Sequence, residues 1–383
     1  MTQALESVRV IDLTQVMAGP FCTMLLGDLG ADVIKVEPPG TGDLSRSMGG
    51  EWHRLRGEDN APFLALNRNK RSVVLDLKTE SGCAALLALA AGADVVVESF
   101  RPGVVRRLGI DYDAIARSNP RIVYASISGF GQSGPYAERP GFDLIAQGMS
   151  GVMSVTGEPD GPPVKCGVPI ADLAAGLYAA HAIMAALLAR ERSGSGQYIE
   201  TSLFEAALGF SVWETTEFWA TGEAPRPFGS AHRLNAPYQA YRTADGHITL
   251  AALTTPQWTR LCAAIGRADL SGDPRFAANE SRMANRPALT VAIEGALAAD
   301  TTAHWVERLL AAGVPAGPIH DYRQVLDDPH TRARHMVEEF DHPVEGRVRT
   351  LGFPVKMSGT PPRVRRPPPL LGEHTAEVLG ELG

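Results

Sequence analysis

Short apolar runs alternate with segments of helical periodicity over the first 130 residues of the chain. The runs are rich in Val and Ile, and the segments between them repeat apolar positions every three to four residues. Strands separated by helices of this length indicate βαβ units, whose parallel strands form one sheet with helices on both faces. The predicted strands lie at 8–13, 31–37, 72–77, 94–100 and 121–127. The pattern therefore predicts an α/β fold.

The pattern changes in the second half of the chain. An Ala-rich apolar segment at 173–189 carries His181 near its middle, which favours a buried core helix over a membrane span. A strand followed by one long helix is predicted at 198–220. Residues 240–243 and 247–251 flank an Asp-Gly turn, which is typical of a β-hairpin. The predicted organisation is a large domain at 1–200 completed by a returning tail at 330–383, a small α+β domain at 225–325, and linkers near 200–225 and 325–330.

Composition and charge exclude several classes of protein. Hydrophobic residues make up 44% and charged residues 21% of the 383 residues, as in ordinary globular proteins. A formal net charge of −7 argues against a nucleic-acid scaffold, which presents a basic face. The four cysteines lie far apart, so neither a disulfide framework nor a zinc module is predicted. The first residues lack a secretory signal pattern, and we expect a cytoplasmic enzyme.

A glycine-rich segment follows the fifth predicted strand. Gly129, Gly131 and Gly134 match the Gly-x-Gly-x-x-Gly pattern of dinucleotide-binding loops. Such a loop needs a helix that starts on the glycines, so that the helix N-terminus faces the pyrophosphate. Here Pro135 follows, and no helical pattern begins before Phe142. A nicotinamide-dependent oxidoreductase is an alternative, but an active-site loop without a nicotinamide is favoured.

Asp172 is the residue that most strongly suggests chemistry. It lies in GVPIADLAAG, where the long apolar segment begins. An Asp at this position is typical of a helix N-cap. A carboxylate at a water-poor helix mouth beside glycine loops is also a competent nucleophile. The residues alone leave both roles open.

Five segments together resemble the family III CoA-transferases, the group that contains formyl-CoA transferase and the carnitine CoA-transferases. They are VRVIDLTQVMAGPFCTMLLGDLGADVIKVEPPGTGD, LNRNKRSVVLDLK, GFDLIAQGMSGVMSVTG, GVPIADLAAGLYAAHAIMAALLAR and PLLGEHTAEVLGELG. The resemblance implies a Rossmann-like large domain, a smaller α+β domain and two chains interlocked in a homodimer. It places the family's nucleophilic aspartate at Asp172, where CoA is carried as an aspartyl thioester from an acyl-CoA donor to a free carboxylic acid.

The resemblance also implies which residues bind CoA, a substrate of this family and not a permanent cofactor. They are Met17, Ala18, Leu75, Asp76, Leu77, Lys78, Ser99, Phe100, Arg101, Arg107, Pro140, Gly141, Phe142 and Asp143. An acidic protein needs local cations for the phosphates of CoA. Further candidates are Arg68, Lys70, Arg71 and Arg106. The expected partners are acyl-CoA, a small carboxylic acid and a second copy of the chain, with no nucleic acid, membrane or resident metal.

The chain departs from formyl-CoA transferase at positions that bear on specificity. Met17 stands where that enzyme has glutamine, Pro38 replaces an arginine and Met48 replaces a tryptophan. No tetraglycine loop occurs between 220 and 250. Oxalate and formyl specificity are therefore not expected, and short dicarboxylates such as succinate are the acids we predict.

Two other functions share part of this pattern. The 2-methylacyl-CoA racemases have the same fold, and they use a Gly-His-Asp segment that reads Gly141, Phe142, Asp143 here. Phenylalanine cannot carry a proton, so the racemase is the less favoured alternative, with Asp143 as its only base in this segment. A CoA-binding protein without turnover is the other alternative.

Overall fold

A computed structural model describes residues 2–57 and 59–382. The chain divides into two compact units. The first contains Met1–Met153, Lys165–Glu223 and Pro329–Gly383, and the second contains Ser154–Val164 and Ala224–Asp328. The sequence pattern had placed the segment Ser154–Val164 within the large domain. Its glycines and prolines form turns without a period, so nothing in the sequence links it to the second unit.

A six-stranded parallel sheet forms the centre of the first unit. Its strands are β1 (Arg9–Leu13), β2 (Asp32–Glu37), β3 (Lys70–Val74), β4 (Val95–Glu98), β5 (Val123–Ser128) and β6 (Gln197–Ser202). They lie in the order β3-β2-β1-β4-β5-β6, the order of the Rossmann fold. Every neighbouring pair is parallel. The predicted α/β class with a parallel sheet is confirmed.

Helices cover both faces of this sheet. They are α1 (Ala18–Asp28), α2 (Ala61–Leu66), α3 (Glu80–Ala91), α4 (Val104–Leu108), α5 (Tyr112–Ala116), α6 (Asp143–Met149), α7 (Ile170–Ser193), α8 (Leu203–Gly209) and α9 (Val212–Thr221). Neighbouring residues of β1 show the two faces, because Val10 packs in one apolar cluster with α1 and α7 and Ile11 packs in another with α3. The single long helix predicted after β6 is two helices, since Gly209 and Ser211 are poor helix formers.

The long helix α7 is the apolar segment noted in the sequence. By length and composition it is able to cross a membrane, with a mean hydropathy of 1.6 over 18 residues. Half of that window is buried inside the structure, where Ala171, Ala175 and Ala179 pack against the sheet. Core helices of proteins outside membranes have the same properties.

The second unit is a small α+β structure. An antiparallel sheet contains β7 (Tyr238–Arg242), β8 (His247–Ala251) and β9 (Ala316–Pro318). The predicted hairpin is confirmed, with Arg242 opposite His247. The helices are α10 (Thr255–Ala264), α11 (Asp269–Gly272), α12 (Asn279–Ala284), α13 (Arg286–Leu297), α14 (Thr302–Ala311) and α15 (Tyr322–Asp327).

The last segment returns to the first unit. It contains α16 (Pro329–Ala333), a hairpin of β10 (Val337–His342) and β11 (Gly346–Leu351), and α17 (Thr375–Gly380). The His374 N–H donates to the Ser72 carbonyl on β3 at 3.0 Å. Val378 is buried in the same apolar cluster as Ile34 and Val73. The end of the chain therefore supports the edge of the sheet at β3.

Candidate functional site

A pocket of about 410 Å³ opens at the carboxyl ends of β1, β4 and β5. The strand order reverses between β1 and β4, and α/β proteins bind ligands in the crevice at such a point. Its walls come from the loops after these strands, from residues 137–142 and from the start of α7. These walls include Gln15, Val16, Met17, Ala18, Gly19, Ser99, Phe100, Arg101, Gly129, Arg139, Phe142 and Asp172.

The pocket brings together most of the site residues predicted from the sequence. Those that line it are Asp172, Met17, Ala18, Ser99, Phe100, Arg101, Pro140, Gly141 and Phe142. Those that do not line it are Leu75, Asp76, Leu77, Lys78, Arg107 and Asp143. The run from Leu75 to Lys78 follows β3 at the same edge of the sheet, and Arg107 is exposed on α4 next to Arg106.

Asp172 lies in the first turn of α7. The N-cap position belongs to Pro169, so the N-cap interpretation of Asp172 is wrong. Within residues 2–57 and 59–382, its carboxylate accepts no hydrogen bond. Burial and, to a smaller extent, the neighbouring Asp143 carboxylate together raise the pKa of Asp172 to about 7. An anion here is poorly solvated and therefore reactive.

Asp143 performs the capping role from a different helix. Its Oδ1 accepts the Ala171 N–H at 2.9 Å, and its Oδ2 accepts Nε2 of Gln147 at 2.7 Å. Gln147 Oε1 in turn accepts the Cys166 N–H at 2.8 Å. The start of α6 is thereby fixed to the first turn of α7. The resemblance implied a CoA contact for Asp143, and the structure places its carboxylate against the helix that carries Asp172.

A close helix contact sets Asp172 beside the loop after β1. Gly176 lies one turn beyond Asp172, and a Cβ atom there would lie 2.5 Å from the Ala18 carbonyl oxygen. Only glycine allows α7 to approach the start of α1 this closely. Met17, Ala18 and Asp172 therefore share one pocket.

Two guanidinium groups line the pocket, and the sequence analysis selected only Arg101. The other is Arg139, whose guanidinium carbon lies 3.8 Å from the ring centroid of Tyr136. In the part of the chain that the structure describes, no carboxylate lies within salt-bridge distance of either group. The signal for Arg139 was present in the sequence, since it directly precedes the predicted segment at 140–143.

Three predicted phosphate-binding cations have structural roles instead. Arg68 pairs with Asp28 at 2.6 Å, Lys70 with Asp12 at 3.0 Å, and Arg71 with Asp32 at 2.6 Å. All three cations are buried, and Lys70 has no exposed surface. The prediction that they bind CoA phosphates is wrong, because each cation is already paired with a carboxylate. The sequence pattern did not show these pairs, since the carboxylates lie on other segments of the chain.

Glu98 was missed by the sequence analysis. It ends β4 and is 2% exposed. One carboxylate oxygen accepts the Phe100 N–H at 2.7 Å and the other accepts the Ser126 hydroxyl. Burial raises the pKa of Glu98 to about 7. Glu98 thus fixes the loop that carries Phe100 and Arg101 to the end of β4. The sequence signal for Glu98 was an acidic residue at the end of the apolar run VVVE.

The glycine loop after β5 does not form a dinucleotide site. Gly131 and Gly134 both have φ of 90°, and the next helix, α6, starts only at Asp143. Gly129 permits a close crossing of two pocket loops, since a Cβ there would lie 2.8 Å from Gly141 Cα. Across residues 2–57 and 59–382, no group of three or more His, Cys, Asp or Glu side chains has the arrangement of a metal site.

Known proteins resemble this chain along its whole length. It matches CoA-transferase family III over residues 5–375. It is 42% identical to the succinate–glutarate CoA-transferase of Agrobacterium fabrum, a match that covers 99% of this chain and 95% of that protein. The acetyl-CoA:oxalate CoA-transferase of Acetobacter aceti is also 42% identical, over 98% of this chain and 95% of the relative. A crystal structure of a CAIB/BAIF family protein from Brucella suis has a TM-score of 0.90 and 39% identity, and the match covers 100% of both chains. The chain belongs to CoA-transferase family III.

Proposed function

We propose that this CoA-transferase carries CoA on Asp172 as a covalent aspartyl thioester. A single observation supports the assignment most strongly: a partly buried carboxylate without a hydrogen-bond donor lies in the pocket at the switch point of the sheet. Structural carboxylates in proteins are normally paired when they leave water. A carboxylate without a partner is available to a substrate.

The reaction needs no general base. A carboxylate oxygen of Asp172 attacks the thioester carbonyl carbon of the donor, the C–S bond breaks, and a mixed anhydride and CoA thiolate form. The thiolate then attacks the carboxyl carbon of Asp172, which releases the donor acid and leaves the aspartyl-CoA thioester. The acceptor carboxylate repeats these steps in reverse. At a pH above about 7 the Asp172 carboxylate is mostly anionic, so no general base has to take a proton from it during the attack.

We propose short dicarboxylic acids as donor and acceptor. The Agrobacterium relative is named for succinate and glutarate, both of which are dicarboxylates. Arg101 and Arg139 supply positive charge in the pocket, and a guanidinium binds a carboxylate with two parallel hydrogen bonds. The Acetobacter relative is named for oxalate, the shortest dicarboxylate, so oxalate belongs in the substrate panel despite the missing tetraglycine loop.

Phe142 favours transfer over racemisation. It occupies the position of the racemase histidine, and it lines the pocket with 74% of its surface exposed. Its ring has no group that moves a proton at the α-carbon.

We propose that the active form is a homodimer. Support comes from apolar side chains on α7 and α9 that are exposed in the single chain, among them Trp219 at 77%. The others include Leu177, Leu188, Val212 and Trp213. Large apolar side chains exposed in this number on two helices are typical of a surface that a partner covers. The molar mass in solution, measured by light scattering, tests this proposal, and a monomer at micromolar concentration would contradict it.

Borohydride trapping tests the covalent step. The enzyme is incubated with succinyl-, glutaryl-, oxalyl- and acetyl-CoA in turn, then with borohydride, and digested for mass spectrometry. Borohydride reduces an aspartyl thioester to an alcohol, so we expect a reduced side chain at Asp172 with at least one dicarboxylyl-CoA and none in Asp172→Asn. Reduction at a different residue, or full turnover by Asp172→Asn, would contradict the assignment.

A further inference from the structure

Val16 has a backbone conformation that is unusual for its residue type. Its φ is 71°, in the left-handed region. The other non-glycine residues with positive φ in the described part of the chain are Asn69, Asp160 and His335, types that tolerate this region. A β-branched side chain is disfavoured there, because its Cβ crowds the backbone. Such a conformation persists only when surrounding contacts hold it.

One buried ion pair contacts the backbone of Val16 and of Thr14. Asp43 Oδ1 accepts the Val16 N–H at 3.1 Å. Lys35 Nζ lies 2.7 Å from Asp43 Oδ2 and donates to the Thr14 carbonyl at 2.9 Å. The side chains of Lys35 and Asp43 are fully buried. The loop from Thr14 to Val16 is therefore attached at two points to a pair of charges that water does not reach.

A second layer of contacts fixes the start of the same loop. Asp12 Oδ1 accepts the Thr14 N–H at 2.9 Å, and Asp12 Oδ2 lies 3.0 Å from Nζ of Lys70. A Cβ atom on Gly19 would lie 2.2 Å from Thr14 Cβ, so the loop folds directly back onto the first turn of α1. The chain thus reverses within a few residues between β1 and α1, and Val16 lies at the reversal.

The reversal determines where two pocket residues lie. Met17 and Ala18 follow Val16 directly, and both line the pocket that contains Asp172. Lys35 and Asp43 line no part of it. Both residues belong to ADVIKVEPPGTGD, which is part of one of the five segments that resemble the family. Their position outside the pocket gives them no direct role in binding.

We propose that Asp43, supported by Lys35, is a positioning residue that holds Val16 in the left-handed conformation and so sets the pocket wall beside the CoA-carrying aspartate. We call the Asp43–Lys35 pair and its bonds to Val16 and Thr14 the clamp. If the clamp is weakened, Val16 relaxes to negative φ and displaces Met17 and Ala18. The effect on turnover rests on the proposed function, whereas the effect on the backbone does not.

A double-mutant cycle tests the clamp through turnover. We expect Asp43→Asn to lower kcat about 10- to 100-fold, since a displacement near 1 Å in an active site has an effect of this size. Glycine adopts positive φ without penalty. In a Val16→Gly background the same Asp43→Asn change should therefore lower kcat by less than about threefold. Equal losses in both backgrounds would overturn the proposal.

Asp28→Asn is the matched control. Asp28 is 1% exposed and is paired with Arg68 at 2.6 Å, but it makes no contact with the loop after β1. Any decrease in kcat caused by Asp28→Asn should be the same in the wild-type and Val16→Gly backgrounds. Rescue of both variants alike would show a general stability effect and contradict the clamp.

A measurement without turnover separates the clamp from the proposed reaction. At a position with positive φ, a protein with glycine is more stable than the same protein with alanine. At a position with negative φ the order of stability is reversed. We expect Val16→Gly to unfold at higher denaturant concentration than Val16→Ala. The opposite order would overturn the proposal even if Asp172 carries CoA. The expected order together with an active Asp172→Ala would leave the clamp in place and contradict only the covalent mechanism. This comparison also stands if Asp43→Asn does not fold.

Discussion

Asp12 and Asp172 lie near the same edge of the sheet, but their surroundings give them opposite properties. Asp12 is fully buried, and burial alone would raise its pKa. Lys70 and Lys35 outweigh that effect and hold the pKa of Asp12 well below its usual range. Asp172 is less buried and forms no ion pair within residues 2–57 and 59–382, and its pKa rises to about 7. Pairing therefore decides whether a buried carboxylate is structural or reactive, and burial alone does not.

Loss of the unpaired carboxylate should have the largest effect. We expect Asp172→Ala to lower CoA transfer at least about 10⁴-fold, because the covalent route disappears. CoA affinity by calorimetry should change less than about threefold. Turnover within tenfold of the wild type would contradict the role of Asp172.

Loss of the paired carboxylate should affect stability instead. Asp12→Asn leaves the buried Lys70 ammonium without its counter-ion, and such a change destabilises a protein by about 3–5 kcal/mol. Urea unfolding at neutral pH measures it. An Asp12→Asn protein as stable as the wild type would show that the pair contributes nothing to the fold.

Removal of the Asp172 charge should have the opposite effect on stability, and the size of that effect should depend on pH. Its pKa is about 7 in the folded chain and near 4 in an unfolded one. The folded state therefore holds the proton more tightly, and stability is lost as pH rises from about 4 through about 7. We expect Asp172→Asn to be more stable than the wild type by about 1–3 kcal/mol at pH 8 and equal to it near pH 4. A variant less stable at pH 8 would contradict the raised pKa.

The smallest effect should come from the neighbour that raises this pKa. Asp143→Asn removes a negative charge beside Asp172 but keeps an oxygen that accepts the Ala171 N–H. The pH midpoint of covalent adduct formation should therefore fall. Asp111→Asn is the control, since Asp111 also caps a helix but is not among the causes of the Asp172 pKa shift. Equal midpoints in all three proteins would contradict the influence of Asp143.

The sequence predicted the features that depend on local pattern. Runs such as VRVIDL and DVVVESF are mostly apolar because both faces of a parallel sheet are covered, and the Asp-Gly turn marked the hairpin of β7 and β8. It could not predict contacts between distant segments. Lys70 looked like a free cation until the fold placed it 3.0 Å from Asp12. It also could not show that the Asp143 carboxylate on α6 accepts the Ala171 N–H in the first turn of α7.

Oxygen transfer to Asp172 tests the central claim most directly. The enzyme is mixed with an acyl-CoA donor and a dicarboxylate acceptor labelled with ¹⁸O in both oxygens of each carboxyl group. In the proposed route one acceptor oxygen bridges to the carboxyl carbon of Asp172 in the second anhydride and stays there when the thiolate attacks the acceptor carbonyl. Peptide mass spectrometry should therefore show ¹⁸O at Asp172 after a single turnover. Product formation with no ¹⁸O at Asp172 would mean that CoA is not carried on this aspartate.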